Sequence, residues 1–207
     1  MSERGSVFIV SAPSGSGKST LVTNLLERVP NLAFSISYTT RKPRGNEVNG
    51  KEYFFVDDPT FEGMISEDLF IEYAKVFDQY YGTARSYLEQ ALAGGKDLIL
   101  DIDTDGAAQV KRKLPEAVSI FIMPPSYQSL KTRLENRRQD SLETIQTRLN
   151  WASQEEIHLY RNYDYVVVND DLAQSFDFMR SIILAERCST NRMNDRVQSI
   201  LKSFGGS

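Results

Sequence analysis

Apolar positions along this chain fall into blocks of two kinds. Val7-Phe8-Ile9-Val10 and Leu98 to Ile102 are near-continuous apolar runs of strand length, the pattern of strands buried on both faces, and Val118 to Ile122 and Tyr165 to Val168 read as further strands. Between them apolar residues recur at helical spacing. Leu21, Val22, Leu25 and Leu26 mark a helix within Ser19 to Arg28, and Phe176, Met179, Ile182 and Ile183 mark another within Gln174 to Arg187. Ser126 caps a helix carrying Leu130 and Leu134. Asp140, with Glu143 three residues on, reads as a capping box opening a helix with Ile145 and Leu149. Shorter helices are predicted over 60–65, 85–93 (stopped by Gly94-Gly95) and 106–113 (stopped by Pro115), and further strands over 33–37 and 52–56. Beyond Ser189 the chain is polar until Val197, Ile200, Leu201 and Phe204, which predicts either one more helix or a frayed end. Buried strands alternating with helices predict an α/β fold. Its parallel, doubly wound sheet would carry helices on both faces and gather ligands at the carboxyl ends of its strands.

The segment between the first strand and the first helix changes the picture most. Ala12-Pro13-Ser14-Gly15-Ser16-Gly17-Lys18-Ser19 has the composition of a phosphate cradle. Gly15 and Gly17 permit backbone conformations that aim successive N–H groups at one anion, and the helix that follows adds its positive end. Lys18 can then reach β- and γ-phosphates, and the Ser19 hydroxyl can ligate Mg²⁺. The motif's first position is Ala12 rather than glycine, which is tolerable at negative φ. Asp101 and Asp103 fall on one face near the carboxyl end of a later strand. An acid there can hold Mg²⁺ directly or through its water.

Composition narrows the field. The chain has 207 residues, 41% apolar and 25% charged, enough for a real core and typical of one globular domain. A net charge of -4 argues against a nucleic-acid-coating protein. One cysteine, Cys188, allows no internal disulfide and fits a reducing compartment. The apolar run in the first residues is too short for a signal peptide, and no stretch has membrane-spanning length. The expectation is a cytoplasmic soluble protein without nucleic-acid or membrane partners, a monomer or small homo-oligomer.

A cradle alone does not name the acceptor. In the segment Ser37-Tyr38-Thr39-Thr40-Arg41-Lys42-Pro43-Arg44 two arginines stand three apart in a turn. Glu47 to Phe55, Phe70-Ile71-Glu72-Tyr73-Ala74 and Tyr80-Tyr81-Gly82-Thr83 follow. With SAPSGSGKST, LDID, MPPS, RLENR and VVVNDD, these segments occur in the order of the guanylate kinase family, which the chain closely resembles over about residues 5–187. The resemblance implies a P-loop NTPase-type core (about 5–37 and 84–187), an inserted GMP-binding lobe (about 38–83) and a helical lid (about 133–150), with a tail over 188–207. It implies ATP-dependent phosphorylation of GMP, and of dGMP, with Mg²⁺, in purine nucleotide metabolism.

Residue by residue, the resemblance places ATP on Ala12 to Ser19 and Thr20, with Asn169 at the adenine edge. Arg41, Arg44, Tyr53 and Tyr81 would hold the GMP phosphate. Ser37, Glu72 and Thr83 would read the guanine, with Asp103 close by. Arg133, Arg137 and Arg148, with Lys18 and Arg41, would act on the transferring phosphates. Ser19 would bind the metal, with Asp101 acting through water. The chemistry is coherent: guanine offers N1–H and an exocyclic amine side by side, and one carboxylate accepts from both, whereas adenine has no N1–H there. Besides Ala12, two positions depart from the family pattern, Asp105 for a common glutamine and Arg138 for a common glycine. Two rival readings stand beside this one. A kinase for another mononucleotide or a sugar phosphate is opposed by Glu72 with Ser37. A binding module without turnover is opposed by the intact Gly17-Lys18-Ser19.

Overall fold

Val7–Ser11 (β1) is buried along its whole length. In the computed structural model, which describes residues 4–76, 78–136 and 141–205, this strand sits at the centre of a five-stranded parallel sheet. The chain runs on through Lys18–Arg28 (α1), Leu32–Phe34 (β2), Tyr38–Thr39 (β3), Phe54–Phe55 (β4), Asp58–Ser66 (α2), Phe70–Val76 (β5), Gln79–Ala84 (β6), Arg85–Ala93 (α3), Asp97–Asp101 (β7) and Thr104–Lys113 (α4). Val118–Met123 (β8), Tyr127–Asn136 (α5), Leu142–Gln154 (α6), a 3-10 helix over Glu156–Asn162, Tyr165–Val168 (β9), Leu172–Arg187 (α7) and Thr190–Ser203 (α8) complete it. The large sheet has the order β2-β7-β1-β8-β9, all parallel.

Alternation along β1 builds both halves of the core. Phe8 and Val10 point to the face covered by α1 and α7, where they meet Leu21, Leu25, Phe176 and Met179. Val7 and Ile9 point to the opposite face and meet Leu88, Leu92, Ala107 and Val110 of α3 and α4. This two-sided burial is why the strand reads as an unbroken apolar run. A third cluster, Leu130, Leu134, Ile145, Leu149 and Ala152, joins α5 to α6.

Between β2 and α3 the chain builds a second sheet in the order β4-β3-β6-β5, backed by α2. Phe61 of α2 is fully buried and stacks on Phe70 and Tyr80, with ring centroids 4.4 and 5.1 Å apart. Edge strand β5 is fastened to the large core. Ile71 packs into the α3/α4 cluster. The Gln109 side chain bonds both the N–H and the C=O of Tyr73, at 3.2 and 2.9 Å, and Lys113 Nζ donates to Phe70 O at 2.9 Å. These contacts from α4 satisfy groups that an edge strand would otherwise expose. At the far end of the large sheet the buried Asp97 carboxylate accepts from Ser6 N, Arg187 Nε and Arg192 Nη1 at 2.7–2.8 Å, tying α7 and α8 to β7.

Several expected elements are corrected. The strand expected over 33–37 is Leu32–Phe34: Ser35 N still bonds Ile99 O, and the chain then leaves for the second sheet. The one expected over 52–56 is only Phe54–Phe55. The cap of α6 is Ser141, whose Oγ accepts from Thr144 N at 3.2 Å; Asp140 lies outside the described residues. The hairpin β5–β6 was not expected. Three successive buried residues open β5, and a register shift between Phe70 and Glu72 breaks the period of two that marks a strand. The tail forms α8, whose Val197, Ile200 and Leu201 are exposed, as is Phe204 at its C-cap. No helix among the described residues is long and apolar enough to cross a membrane.

Candidate active site

The β1–α1 loop folds as its glycines permit. Gly15 and Gly17 hold φ of 94° and 90°, in the left-handed region open to glycine. Ala12 is not among the positive-φ residues and packs its methyl against the α1/α7 core, so its departure from glycine strains nothing. Gly17 is the N-cap of α1 and offers no side-chain acceptor, which leaves the first N–H groups of the helix for an anion. Lys18 Nζ forms an ion pair with Asp101 and lies 3.4 Å from Ile102 O. Ser19 and Thr20 are exposed in the first turn of α1.

Three residues far along the chain brace this loop. Asn169, 4% exposed at the end of β9, donates from Nδ2 to Ser16 O at 2.7 Å. A Cβ at Gly17 would collide with the same amide nitrogen, so Gly17 serves both conformation and close approach. Arg133 of α5 donates to Asn169 O at 2.9 Å and to Ser16 O at 3.3 Å, and Arg148 of α6 donates to Ser14 Oγ at 3.3 Å. Two of the three expected phosphate-clamping arginines therefore stand at the cradle; Arg137, with Arg138, lies outside the described residues.

The second group of residues assembles on the small sheet. Arg41 lies over the Tyr53 and Phe55 rings, 5.2 and 5.8 Å from their centroids. Tyr53 meets Tyr81 edge-on at 6.0 Å, and burial pushes the Tyr53 phenol up. Arg44 is exposed and Ser37 half-buried, with Ser37 O accepting from Phe54 N at 2.9 Å. Glu47, which had no expected role, takes the end of the Arg41 guanidinium. Its two oxygens accept from Nη1 and Nη2 at 2.9 and 2.8 Å, and Oε2 also accepts from Arg44 N at 2.7 Å. These donors hold Glu47 below the usual carboxylate range. An acid three residues beyond a pair of arginines in a tight turn was the available signal.

Glu72 is 4% exposed. It is paired in register with Thr83 across β5–β6, and Thr83 Oγ1 donates to its Oε1 at 2.6 Å. Burial pushes its carboxyl up to about 7, with Asp103 adding to the shift. Asp103 caps α4, accepting from Gly106 N at 2.7 Å. Asp105 falls in the first turn of that helix, where a negative charge suits the helix dipole. Glu156 of the 3-10 helix, also without an expected role, is pushed up by burial against the pull of Lys18.

The two halves meet at the carboxyl end of β7. Asp101 faces Lys18, and Asp103, two residues on, stands beside Glu72. A site with one anion cradle of backbone N–H groups and a second built from arginine and tyrosine side chains suits a donor and an acceptor that both carry phosphate. Among the described residues no cluster of three or more His, Cys, Asp or Glu is placed to hold a metal. The hydroxyl of Ser19 and the carboxylate of Asp101 are hard oxygen donors on the adjoining α1 and β7. They fit an ion such as Mg²⁺ that keeps much of its water and leans on substrate phosphates.

Comparison with known proteins decides the class: the guanylate kinase family profile matches residues 4–186. The chain belongs to the guanylate kinase family. A guanylate kinase of Koribacter versatilis is 48% identical over 97% of this chain and 96% of that protein. The guanylate kinase of Escherichia coli strain K12 is 48% identical over 97% and 98%. Among solved structures, the guanylate kinase of Anaplasma phagocytophilum superposes with a TM-score of 0.73 at 36% identity, covering 92% of this chain and 90% of that one. The fold is accordingly the α/β, P-loop NTPase type that the strand order describes, and the family is one of phosphotransferases.

Proposed function

We propose that this chain transfers the γ-phosphoryl group of ATP to the 5′-phosphate of GMP, and of dGMP, releasing ADP and the nucleoside diphosphate, as a cytoplasmic step of purine nucleotide metabolism. The observation that carries the acceptor is Glu72. A buried carboxylate with one oxygen on Thr83, and only the weaker pull of Lys113 and Thr83 to set against its burial, is suited to accept N–H donors from a ligand. Guanine supplies two adjacent ones, from N1 and the exocyclic amine. Adenine would set an unprotonated N1 against the same acceptor, leaving polar groups unpaired at about 1–3 kcal/mol. Ser37 and Thr83 would complete the base site with hydroxyls able to donate or accept, and Asp103 would border it.

In this reading the loop over 12–20 cradles the ATP phosphates, with Lys18 on the transferred group. Asn169 and Arg133 keep the cradle in shape from beneath. Arg41, Arg44, Tyr53 and Tyr81 hold the acceptor phosphate, its oxygen aimed at the γ-phosphorus. Arg133, Arg137 and Arg148 neutralise charge on the transferring group as the lid over 133–150 closes. When bound through Ser19 and the water of Asp101, Mg²⁺ neutralises and orients the ATP phosphates. No general base is required, because a phosphate monoester is already largely dianionic near neutral pH. The sole histidine, His158, is exposed on the 3-10 helix. Catalysis then rests on positioning, charge neutralisation and exclusion of water.

The test is ADP release with GMP, dGMP, AMP, CMP and UMP as acceptors. Turnover with the two guanine nucleotides well above the rest is expected. Equal turnover with AMP overturns the base assignment, and no ADP with any acceptor overturns catalysis.

A further inference from the structure

Gly106 stands in the first turn of α4, buried, at a position where its backbone has no need of glycine. Its φ is not among the positive values that Gly15, Gly17, Gly45, Gly50, Gly95 and Gly205 adopt. Within a helix glycine is the poorest former after proline, so local preference argues for alanine here. What glycine supplies is room. A Cβ at this position would lie 3.1 Å from Glu72 Oε2, 3.3 Å from Asp103 Oδ1 and 3.4 Å from Ile102 Cβ. The two tightest neighbours are carboxylate oxygens at the proposed base site. Gly82, on β6, is different: its Cβ would meet Phe70, Phe61 and the backbone of Glu72, so its role is packing of the small sheet.

Glu72 has little freedom to yield. Its other oxygen is held by Thr83 at 2.6 Å, the side chain is buried, and Ile71 beside it is locked into the α3/α4 core. Helix α4 is fastened to the same strand by Gln109 and Lys113, so it cannot back away either.

We propose that Gly106 is a specificity-determining position: its missing side chain sets how far the Glu72 carboxylate reaches into the base site, and a single methyl there displaces that carboxylate from the guanine edge. This rests on the guanine reading given above. Gly106 touches no substrate; it is a positioning residue acting through Glu72. A methyl group leaves the cradle over 12–19 and its contacts with Asn169, Arg133 and Arg148 untouched, so the two substrates respond differently.

The test compares wild type, Gly106→Ala, Glu72→Asp and the double variant, with Gly63→Ala as a control. Gly63 is a helical glycine whose Cβ would meet nothing within 4 Å. Each is assayed for KM of GMP and of ATP, for the GMP/AMP preference, and for Tm. Expected for Gly106→Ala are a Tm close to wild type, the helix preference of alanine offsetting the crowding against Glu72, a KM for GMP raised about tenfold, a reduced GMP/AMP preference, and a KM for ATP within about twofold. Aspartate withdraws the carboxylate by one methylene, so the penalty of Gly106→Ala on GMP shrinks in the Glu72→Asp background. Gly63→Ala changes neither KM. An unchanged KM for GMP in Gly106→Ala overturns the inference while leaving the guanine reading intact, as does a parallel rise in both KM values with a fallen Tm. A wild type that uses AMP as readily as GMP overturns the guanine reading, and the inference with it.

Discussion

The two proposed anion sites of this molecule are built from opposite materials. The cradle over 12–19 is main chain: two glycines at positive φ and an uncapped helix N-terminus at the end of a fully buried strand. The acceptor site is side chain: an arginine laid over two aromatic rings, two tyrosines and a buried glutamate, on a small sheet whose strands β3 and β4 are two residues each. Backbone N–H groups grip any polyphosphate alike and are hard to alter by substitution. Side chains discriminate, and each can be removed. The difference assigns affinity for the common donor to the rigid half and selectivity for the acceptor to the substitutable half.

Lys18 is the charged residue of the cradle over 12–19, and its removal gives the largest expected effect. Lys18→Ala should lower kcat roughly 100- to 1,000-fold, the scale of losing one preorganised transition-state donor, while GMP affinity measured by calorimetry stays within about twofold. Near-normal turnover would break the division of labour at its strongest point. A parallel loss of GMP binding would show that Asp101, released from its ion pair with Lys18, disturbs the neighbouring Asp103 and Glu72.

Glu72 gives the next effect, and it carries a pH signature. Its folded value near 7 stands above the ordinary 4.5 because burial disfavours the charged form. A raised carboxyl favours the folded state while protonated. That contribution is complete below about pH 4.5 and is lost as pH rises through 7, roughly 3 kcal/mol in all. Guanine recognition needs the ionised form, so GMP binding tightens over the same interval in which stability falls. Glu72→Gln should lower the GMP/AMP ratio of kcat/KM roughly 10- to 100-fold. In urea unfolding it should gain on wild type by about 3 kcal/mol between pH 4 and pH 8. A stability difference that does not move with pH would mean that the carboxylate is not the buried titrating group.

The same contrast governs what could be read from sequence. The cradle was legible because it is contiguous: Gly15, Gly17, Lys18 and Ser19 lie in one stretch between a strand and a helix. The braces beneath it were legible only through family order, which set Arg133 and Arg148 at the phosphates and Asn169 at the adenine edge; Asn169 is 153 residues from Ser16, and nothing local says that its amide turns to the loop. Glu72 and Thr83 were legible only through family order. Their strand pairing is hidden by the irregularity at Phe70 and Glu72, which spoils the alternation that would have announced a hairpin. The helix cap slipped by one because Asp140 and Ser141 are both good caps. Thr144 N, three beyond Ser141, donates to the Ser141 hydroxyl. Alternation of buried strands and helices, by contrast, was enough for the large sheet, because every central strand is apolar on both faces.

Glu47 offers the smallest effect and the finest test of the side-chain half. Its carboxylate accepts from Nη1 and Nη2 of Arg41, and Lys42 O accepts a further bond from Nη1 at 2.8 Å. That end of the guanidinium is committed. The other edge, Nε–H with the second hydrogen of Nη2, is not committed to Glu47, and Tyr81 lies close enough to bear on the charge of Arg41. Glu47 therefore orients Arg41 rather than standing in for a phosphate. Glu47→Gln keeps the shape and removes the charge, so Arg41 should lose order but not its ligand. The expected result is a two- to fivefold rise in KM for GMP, about the worth of a partly exposed ion pair, larger at low salt than at high, with KM for ATP unchanged. A fall in KM for GMP would carry the opposite meaning: Glu47 would be competing with the acceptor phosphate for the same fork, and the acceptor half would be held closed by its own side chains until substrate displaced them.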